Sequence, residues 1–177
     1  MTWTILISTL GQRRTSLRRL LDGLMPQVDA AGGRVKVLAY WDNGEASVAE
    51  KRQALLDAVD TDYVCFIDDD DTVSPDYVAS ILGALESRPD YVGFKMQCYC
   101  DGKPTLMSYH SLEHGGWRNK EDCYLRDITT SNPMRTSVAK RARFNALRGQ
   151  AEDVDWVSQV RRTALLSTEV YVDKVLY

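Results

Sequence analysis

The 177-residue chain carries 22 basic and 25 acidic residues for a formal net charge of −3, with 44% hydrophobic and 27% charged residues. That length supports one domain with a real core and is short for two, and the composition is ordinary for a soluble globular protein. A net negative chain excludes a globally basic nucleic-acid binder, and no apolar stretch approaches the roughly 20 residues needed to cross a bilayer.

In chain order, Thr4 to Ser8 reads as a strand, followed by a polar turn through Gly11 to Arg14. Leu17, Leu20, Leu21 and Leu24 then repeat at helical spacing, predicting a helix capped by Thr15 or Ser16 and ended near Pro26. Gly32-Gly33 turns into a second strand, Val35 to Tyr40, which Asp42-Asn43-Gly44 breaks. Val48, Leu55, Leu56 and Val59 mark a second helix, and Tyr63 to Ile67 is a short buried strand. Ser74 as N-cap and Pro75 as first helical residue open a third helix carrying Val78, Ile81, Leu82 and Leu85. Tyr91 to Tyr99 reads as a fourth strand, so the first half alternates strand and helix. That pattern predicts an α/β fold with a mostly parallel central sheet flanked by helices. Asp101 to Pro133 has weak periodicity and is expected to be irregular and lid-like. A helix is expected near Glu152 and a last strand from Glu169 to Leu176.

The four cysteines, Cys65, Cys98, Cys100 and Cys123, are expected to be reduced thiols, because the amino-terminal residues lack the basic start and cleavage site of a secretory signal. A cytoplasmic location, in a bacterial cell or a phage-infected host, is the corresponding expectation. Cys98 and Cys100 share a strand face, but two ligands do not make a zinc site. His110 and His114 are the only histidines, and neither is expected to ligate a metal.

Asp68, Asp69, Asp70 and Asp71 follow directly on the apolar strand. In an open α/β sheet, ligands bind beyond the carboxyl ends of strands. Four adjacent carboxylates repel by about 1 kcal/mol per close pair even in water, so a positive partner is expected, such as a divalent metal holding a phosphorylated ligand. An EF-hand fails, because the sixth position from Asp68 is Val73 and the twelfth is Ala79. Neither glycine-rich phosphate-loop pattern occurs.

Two enzyme families share features with this loop. Asp68 to Val73 resembles the D-x-D-x-[TV] motif of haloacid-dehalogenase-type phosphatases, which would make Asp68 a nucleophile and Asp70 an acid. Two β-α units precede it, however, and no apolar strand leads into Asp153 and Asp155. The chain resembles family 2-type glycosyltransferases of the GT-A fold more extensively. Thr4 to Thr9 with Arg13 and the leucine helix is similar to their opening. Phe66 to Asp71 followed by Ser74 to Val78 resembles their D-x-D loop and the helix after it, and Gly149 to Trp156 resembles their acceptor-side E-D motif.

The resemblance implies one GT-A domain over residues 1–177, with a nucleotide-sugar half (1–100) and an acceptor half (101–177). It implies a metal-dependent, inverting transfer of one sugar from a nucleoside-diphosphate sugar, UDP favoured, with Mn²⁺ or Mg²⁺ as cofactor. Thr9, Arg13, Asp42, Arg52, Asp68 and Asp69 would bind the donor, and Asp70 would hold the metal. Asp153 would be the general base, and Glu152, Trp156, Asn132 and Arg135 would line the acceptor site. The acceptor would be a bacterial glycan, a lipid-linked glycan or a hydroxymethylated DNA base. The last draws on the basic bias between Arg118 and Arg148. A non-catalytic sugar-nucleotide-binding module is the remaining alternative.

Plainer roles compete at several positions. Asp42 could simply make its turn, Glu152 and Asp153 could be first-turn helix acids, Lys51 and Arg52 solvated helix charges, and Trp156 core. The family's histidine after Asp153 is absent here.

Overall fold

A computed structural model describes residues 1–146 and 151–177. The strands are β1 (Trp3–Leu10), β2 (Val35–Asp42), β3 (Tyr63–Phe66), β4 (Tyr91–Cys100), β5 (Lys103–His110), β6 (Arg118–Asn119), β7 (Cys123–Arg126), β8 (Met134–Arg135) and β9 (Glu169–Val175). The α-helices are α1 (Arg14–Ala30), α2 (Val48–Asp57), α3 (Tyr77–Leu85), α4 (Thr136–Ala139) and α5 (Glu152–Thr163).

One sheet contains all these strands, in the order β2-β1-β3-β8-β4-β5-β7-β6, with β9 also paired to β4. β1 lies between β2 and β3, parallel to both, and is buried on both faces, which explains its unbroken apolar run. Trp3, Ile5 and Ile7 point into one core with α1 and α3. Leu6 points into the other, with Leu55 and Leu56 of α2 and Trp156 and Val157 of α5. The sheet is mixed rather than mostly parallel: β8 runs antiparallel to β3 and β4, and β5 runs antiparallel to β4. β8 sits between β3 and β4, and β9 runs along β4. The second half of the chain therefore completes the sheet of the first, and the division at residue 100 separates no independent unit.

Residues 101–133 are more regular than expected. β4 and β5 form a hairpin turned by Asp101 (φ 50°) and Gly102 (φ 74°), and β7 adds to β5. An Asp-Gly pair with both φ values positive is the turn that matches strand twist. Gly93 in β4 has no room for a side chain, because a Cβ there would collide with Glu169 and with the His110 carbonyl.

Two helix boundaries also differ from expectation. α1 continues through Pro26 to Ala30, because Leu24 and Val28 are both buried one turn apart and Pro26 is exposed, with its cost met by solvent. Gln27 then ties α1 to the start of α3. Its amide donates to the Gly23 and Ser74 carbonyls, and its oxygen accepts from the Val78 N–H. α3 starts two residues after Pro75, and Ser74 donates its hydroxyl to Asp76 instead of capping the helix. α2 opens with a reciprocal capping box between Ser47 and Glu50. Among the described residues, no helix is long and apolar enough to cross a membrane.

Candidate active site

Two clefts meet at the carboxyl ends of β1 and β3, and Arg52 and Asp68 line both. The first, of about 500 Å³, is lined by Thr9, Arg13, Gly44, Lys51 and residues 68–70, among others. The second, of about 340 Å³, is lined by Asp153, Asp71 and Tyr177 and by residues of β4, β5 and β7, among others.

The four aspartates are held by different partners. Asp68 accepts from Arg52 Nη2 at 3.0 Å. Asp69, only 2% exposed, accepts from the Thr9 hydroxyl at 2.6 Å and pairs with Arg13 at 3.2 Å. Asp70 is half exposed and pairs with Arg13, and its carbonyl accepts from Arg19. Burial, together with the charges of Asp68 and Asp70, raises the Asp71 pKa, while a hydrogen bond from the Tyr177 hydroxyl opposes the rise. The same hydroxyl accepts from the Asp68 N–H at 3.0 Å, so Tyr177 pins both ends of the acidic loop. Arginines thus supply much of the positive charge that the loop requires.

Arg52 is the pivot between the clefts. It is 7% exposed, and its other terminal nitrogen donates to Glu152 at 3.0 Å. Its guanidinium lies over Phe66 at 5.7 Å and Phe144 at 5.9 Å. Lys51, one residue earlier, is 2% exposed and donates to Asp42 at 2.6 Å and to the Thr9 carbonyl at 3.0 Å. Neither is a solvated helix charge. Lys51 foremost, then the N–H of Ala46, lowers the Asp42 pKa. Asp42 also accepts from Gly44 N–H, so it lies behind the cleft wall and shapes the turn that forms it.

The residues expected to line an acceptor site are placed differently from one another. Asp153 lines the second cleft and Glu152 is buried against Arg52. Trp156 is 1% exposed and stacked on Phe144 at 5.3 Å, so it is core and presents no face to a ligand. Arg135 stands at the other end of the sheet, paired with Asp90 at 2.7 Å and beside Tyr63, the first residue of β3. Asn132 is fully buried behind the cleft wall. Its amide donates to the Val92 carbonyl at 2.9 Å, so its oxygen accepts from His110 Nδ1–H at 2.6 Å. His110 Nε2 is then the acceptor for the Ser108 hydroxyl at 2.9 Å. Gly149 and Gln150 of the expected E-D motif, and Arg148, lie outside the described residues.

Among the described residues, several cations of the basic stretch from Arg118 onward are tied to separate partners. Arg135 goes to Asp90, Lys140 donates to the Val59 carbonyl, and Arg143 pairs with Asp57. Lys51, Tyr177, His110 and Arg126 were not singled out as site residues from sequence. Only Lys51 left a local trace, beside Arg52 on the helix that follows the Asp42 turn.

His110 is stacked on Phe94 and lines the second cleft, and burial lowers its pKa to about 4. Its folded pKa lies below the unfolded value of about 6.5, so the unfolded chain binds more protons between those pH values. Stability contributed by neutral His110 is present above pH 6.5 and is lost as pH falls toward 4, by up to about 3 kcal/mol. Urea melts of wild type and His110→Gln across pH 4–7 should show a steeper acid loss in the wild type. Parallel curves would contradict this.

A mixed α/β sheet with these clefts beyond its strand ends is a single-domain GT-A architecture. The chain belongs to glycosyl transferase family 2, whose family model matches residues 16–148. The crystal structure of S. aureus TarS 1–349 superposes on all of this chain and 60% of its own length, with a TM-score of 0.66 at 14% identity. The same protein in complex with UDP-GlcNAc gives 0.69 at 14% identity, over 100% and 58% of the two chains. A197 from STIV gives 0.55 at 15% identity, over 98% and 82%. At such identities these likenesses show the fold. The chain spans about 60% of the length of the TarS structure. No curated protein matches it.

Proposed function

We propose that the protein is a metal-dependent, inverting glycosyltransferase that moves one sugar from a nucleoside-diphosphate sugar, UDP favoured, to an acceptor hydroxyl. The observation that carries this reading is the meeting of two clefts at Arg52 and Asp68, with the acidic loop on one side and Asp153 on the other. Support for UDP comes from TarS, a fold neighbour whose structures hold UDP and UDP-GlcNAc.

In this mechanism the donor occupies the larger cleft. Thr9 and the turn shaped by Asp42 and Lys51 enclose the nucleoside. Arg13, half exposed and bound to Asp69 and Asp70, faces the diphosphate. Asp70 suits Mn²⁺ or Mg²⁺ because it offers a hard, half-exposed carboxylate, and such ions bind through one or two carboxylates plus substrate phosphates. Among the described residues no group of three acidic, His or Cys side chains could hold an ion alone, so binding would need the diphosphate. The ion, when bound, supplies Lewis-acid stabilisation of charge on the departing diphosphate. Asp153 accepts the acceptor hydroxyl's proton as its oxygen bonds to the anomeric carbon, and the bond from that carbon to the diphosphate oxygen breaks. Arg52 holds Asp68 and Glu152 in register on either side of that event.

The phosphatase reading has less support. Asp153 and Asp155 open helix α5 rather than follow a strand, and Asp68 is engaged by Arg52. The test is incubation with Mn²⁺ and a panel of sugar nucleotides, following release of free nucleoside diphosphate, beside an aryl phosphate control. Slow donor hydrolysis with an inert aryl phosphate supports transfer. Aryl phosphate cleavage that Asp68→Asn abolishes would reverse the assignment.

A further inference from the structure

The β7 part of the second cleft carries a cation that no carboxylate among the described residues pairs with. Arg126, at the end of β7, lies over two aromatic rings, 5.1 Å from the Trp117 centroid and 5.0 Å from that of Tyr124. All three residues line the cleft that Asp153 also lines. The guanidinium donates to the Arg118 carbonyl at 3.1 Å, the Leu125 carbonyl at 2.9 Å and Asn119 Oδ1 at 2.9 Å. These neutral acceptors use three of its five N–H donors and leave two. Among the described residues no carboxylate pairs with it. Burial foremost lowers its pKa, and no carboxylate is among the groups that oppose the shift. The other arginines that are not exposed among the described residues, Arg13, Arg52 and Arg135, each hold a carboxylate.

A planar cation lying over two rings, with donors to spare, matches a carboxylate or phosphate oxygen pair. Desolvation without a charge partner costs free energy, and an arriving anion would recover it. We infer that Arg126, with Trp117 and Tyr124, forms an anion subsite of the acceptor cleft, and that the acceptor is a sugar bearing a phosphate or carboxylate group. This rests on the glycosyl-transfer reading, since it assigns the smaller cleft to the acceptor. Ser108, the cross-strand partner of Tyr124, gives its proton to His110, so its lone pairs are free to accept a hydroxyl of that acceptor.

The test is calorimetric titration of the full chain with glucose, glucose 6-phosphate and glucuronate, without nucleotide. Wild type should bind at least one of the anionic sugars about tenfold or more tightly than glucose. Which one is preferred separates phosphate from carboxylate. Arg126→Gln should erase the preference, and Arg126→Lys should retain part of it. Equal binding of all three sugars, no binding of either anion at millimolar concentration, or a preference that survives Arg126→Gln would overturn the inference. UDP titration of Arg126→Gln supplies the independent readout: unchanged UDP affinity supports an acceptor-side role, and lost affinity would move Arg126 to the donor diphosphate. Absence of UDP binding in wild type would count against the donor reading instead, whatever the sugars do.

Discussion

Replacing Arg52 with alanine is expected to destabilise the protein by about 3 kcal/mol or more and to abolish transfer. The side chain is 7% exposed and is the partner of Glu152, itself 6% exposed. Removing one member of a buried ion pair leaves the other charged and desolvated, at a cost of about 3–5 kcal/mol. The guanidinium also covers Phe66 and Phe144, so packing is lost with the charge. Asp68 is half exposed and contributes less to this penalty, because solvent screens it. For a chain of this length, 3 kcal/mol corresponds to a fall of about 6–12 °C in Tm. Urea denaturation at pH 7 checks the size. Adding Glu152→Gln to Arg52→Ala should restore part of the stability, since it removes the orphaned charge, yet should not restore activity. A stability loss under 1 kcal/mol would mean that the pair is relaxed and solvated.

The second large effect concerns chemistry alone. Asp153→Asn keeps the shape of the side chain on α5, where Asp153 is part-exposed and accepts the Val154 N–H at 2.7 Å. It removes the ability to take a proton. General-base catalysis is worth about 10²–10⁴ in rate, so kcat for transfer should fall by that factor. Donor binding should stay within about twofold, because Asp153 lines only the acceptor-side cleft. Transfer kinetics and UDP titration of the same variant check the two halves of this expectation. A variant with near-normal kcat would remove Asp153 from the mechanism, and a variant with lost UDP binding would move it to the donor side.

The sequence carried the strand-helix alternation of the first half, since apolar periodicity and turn residues are local signals. The acidic loop was equally legible, as charge directly after an apolar strand. Less was legible where long-range packing decides. Trp156 and Arg135 carry chemistry in their side chains, but stacking on Phe144 and pairing with Asp90 place them away from the clefts. Lys51 and Arg52 read as helix surface because both are charged, and only the fold brings Asp42, Asp68 and Glu152 to them. Tyr177 could not be seen, as its role depends on a contact 109 residues away. Two features were local and still unread: the Asp101-Gly102 hairpin turn and the Ser47-to-Glu50 capping box. Reading the first would have turned the lid-like segment into the β4–β5 hairpin that lines the second cleft.

The proposed transfer needs the larger cleft to be a nucleoside-diphosphate site completed by a metal at Asp70. Calorimetric titration of UDP into the protein, with Mn²⁺ and then with a chelator, tests it most directly. The expected result is one site per chain with Mn²⁺, weakened about tenfold or more by chelation and by Asp70→Asn, whose lost carboxylate would be the ion's ligand. Failure of UDP and every other nucleoside diphosphate to bind with Mn²⁺ present would contradict it.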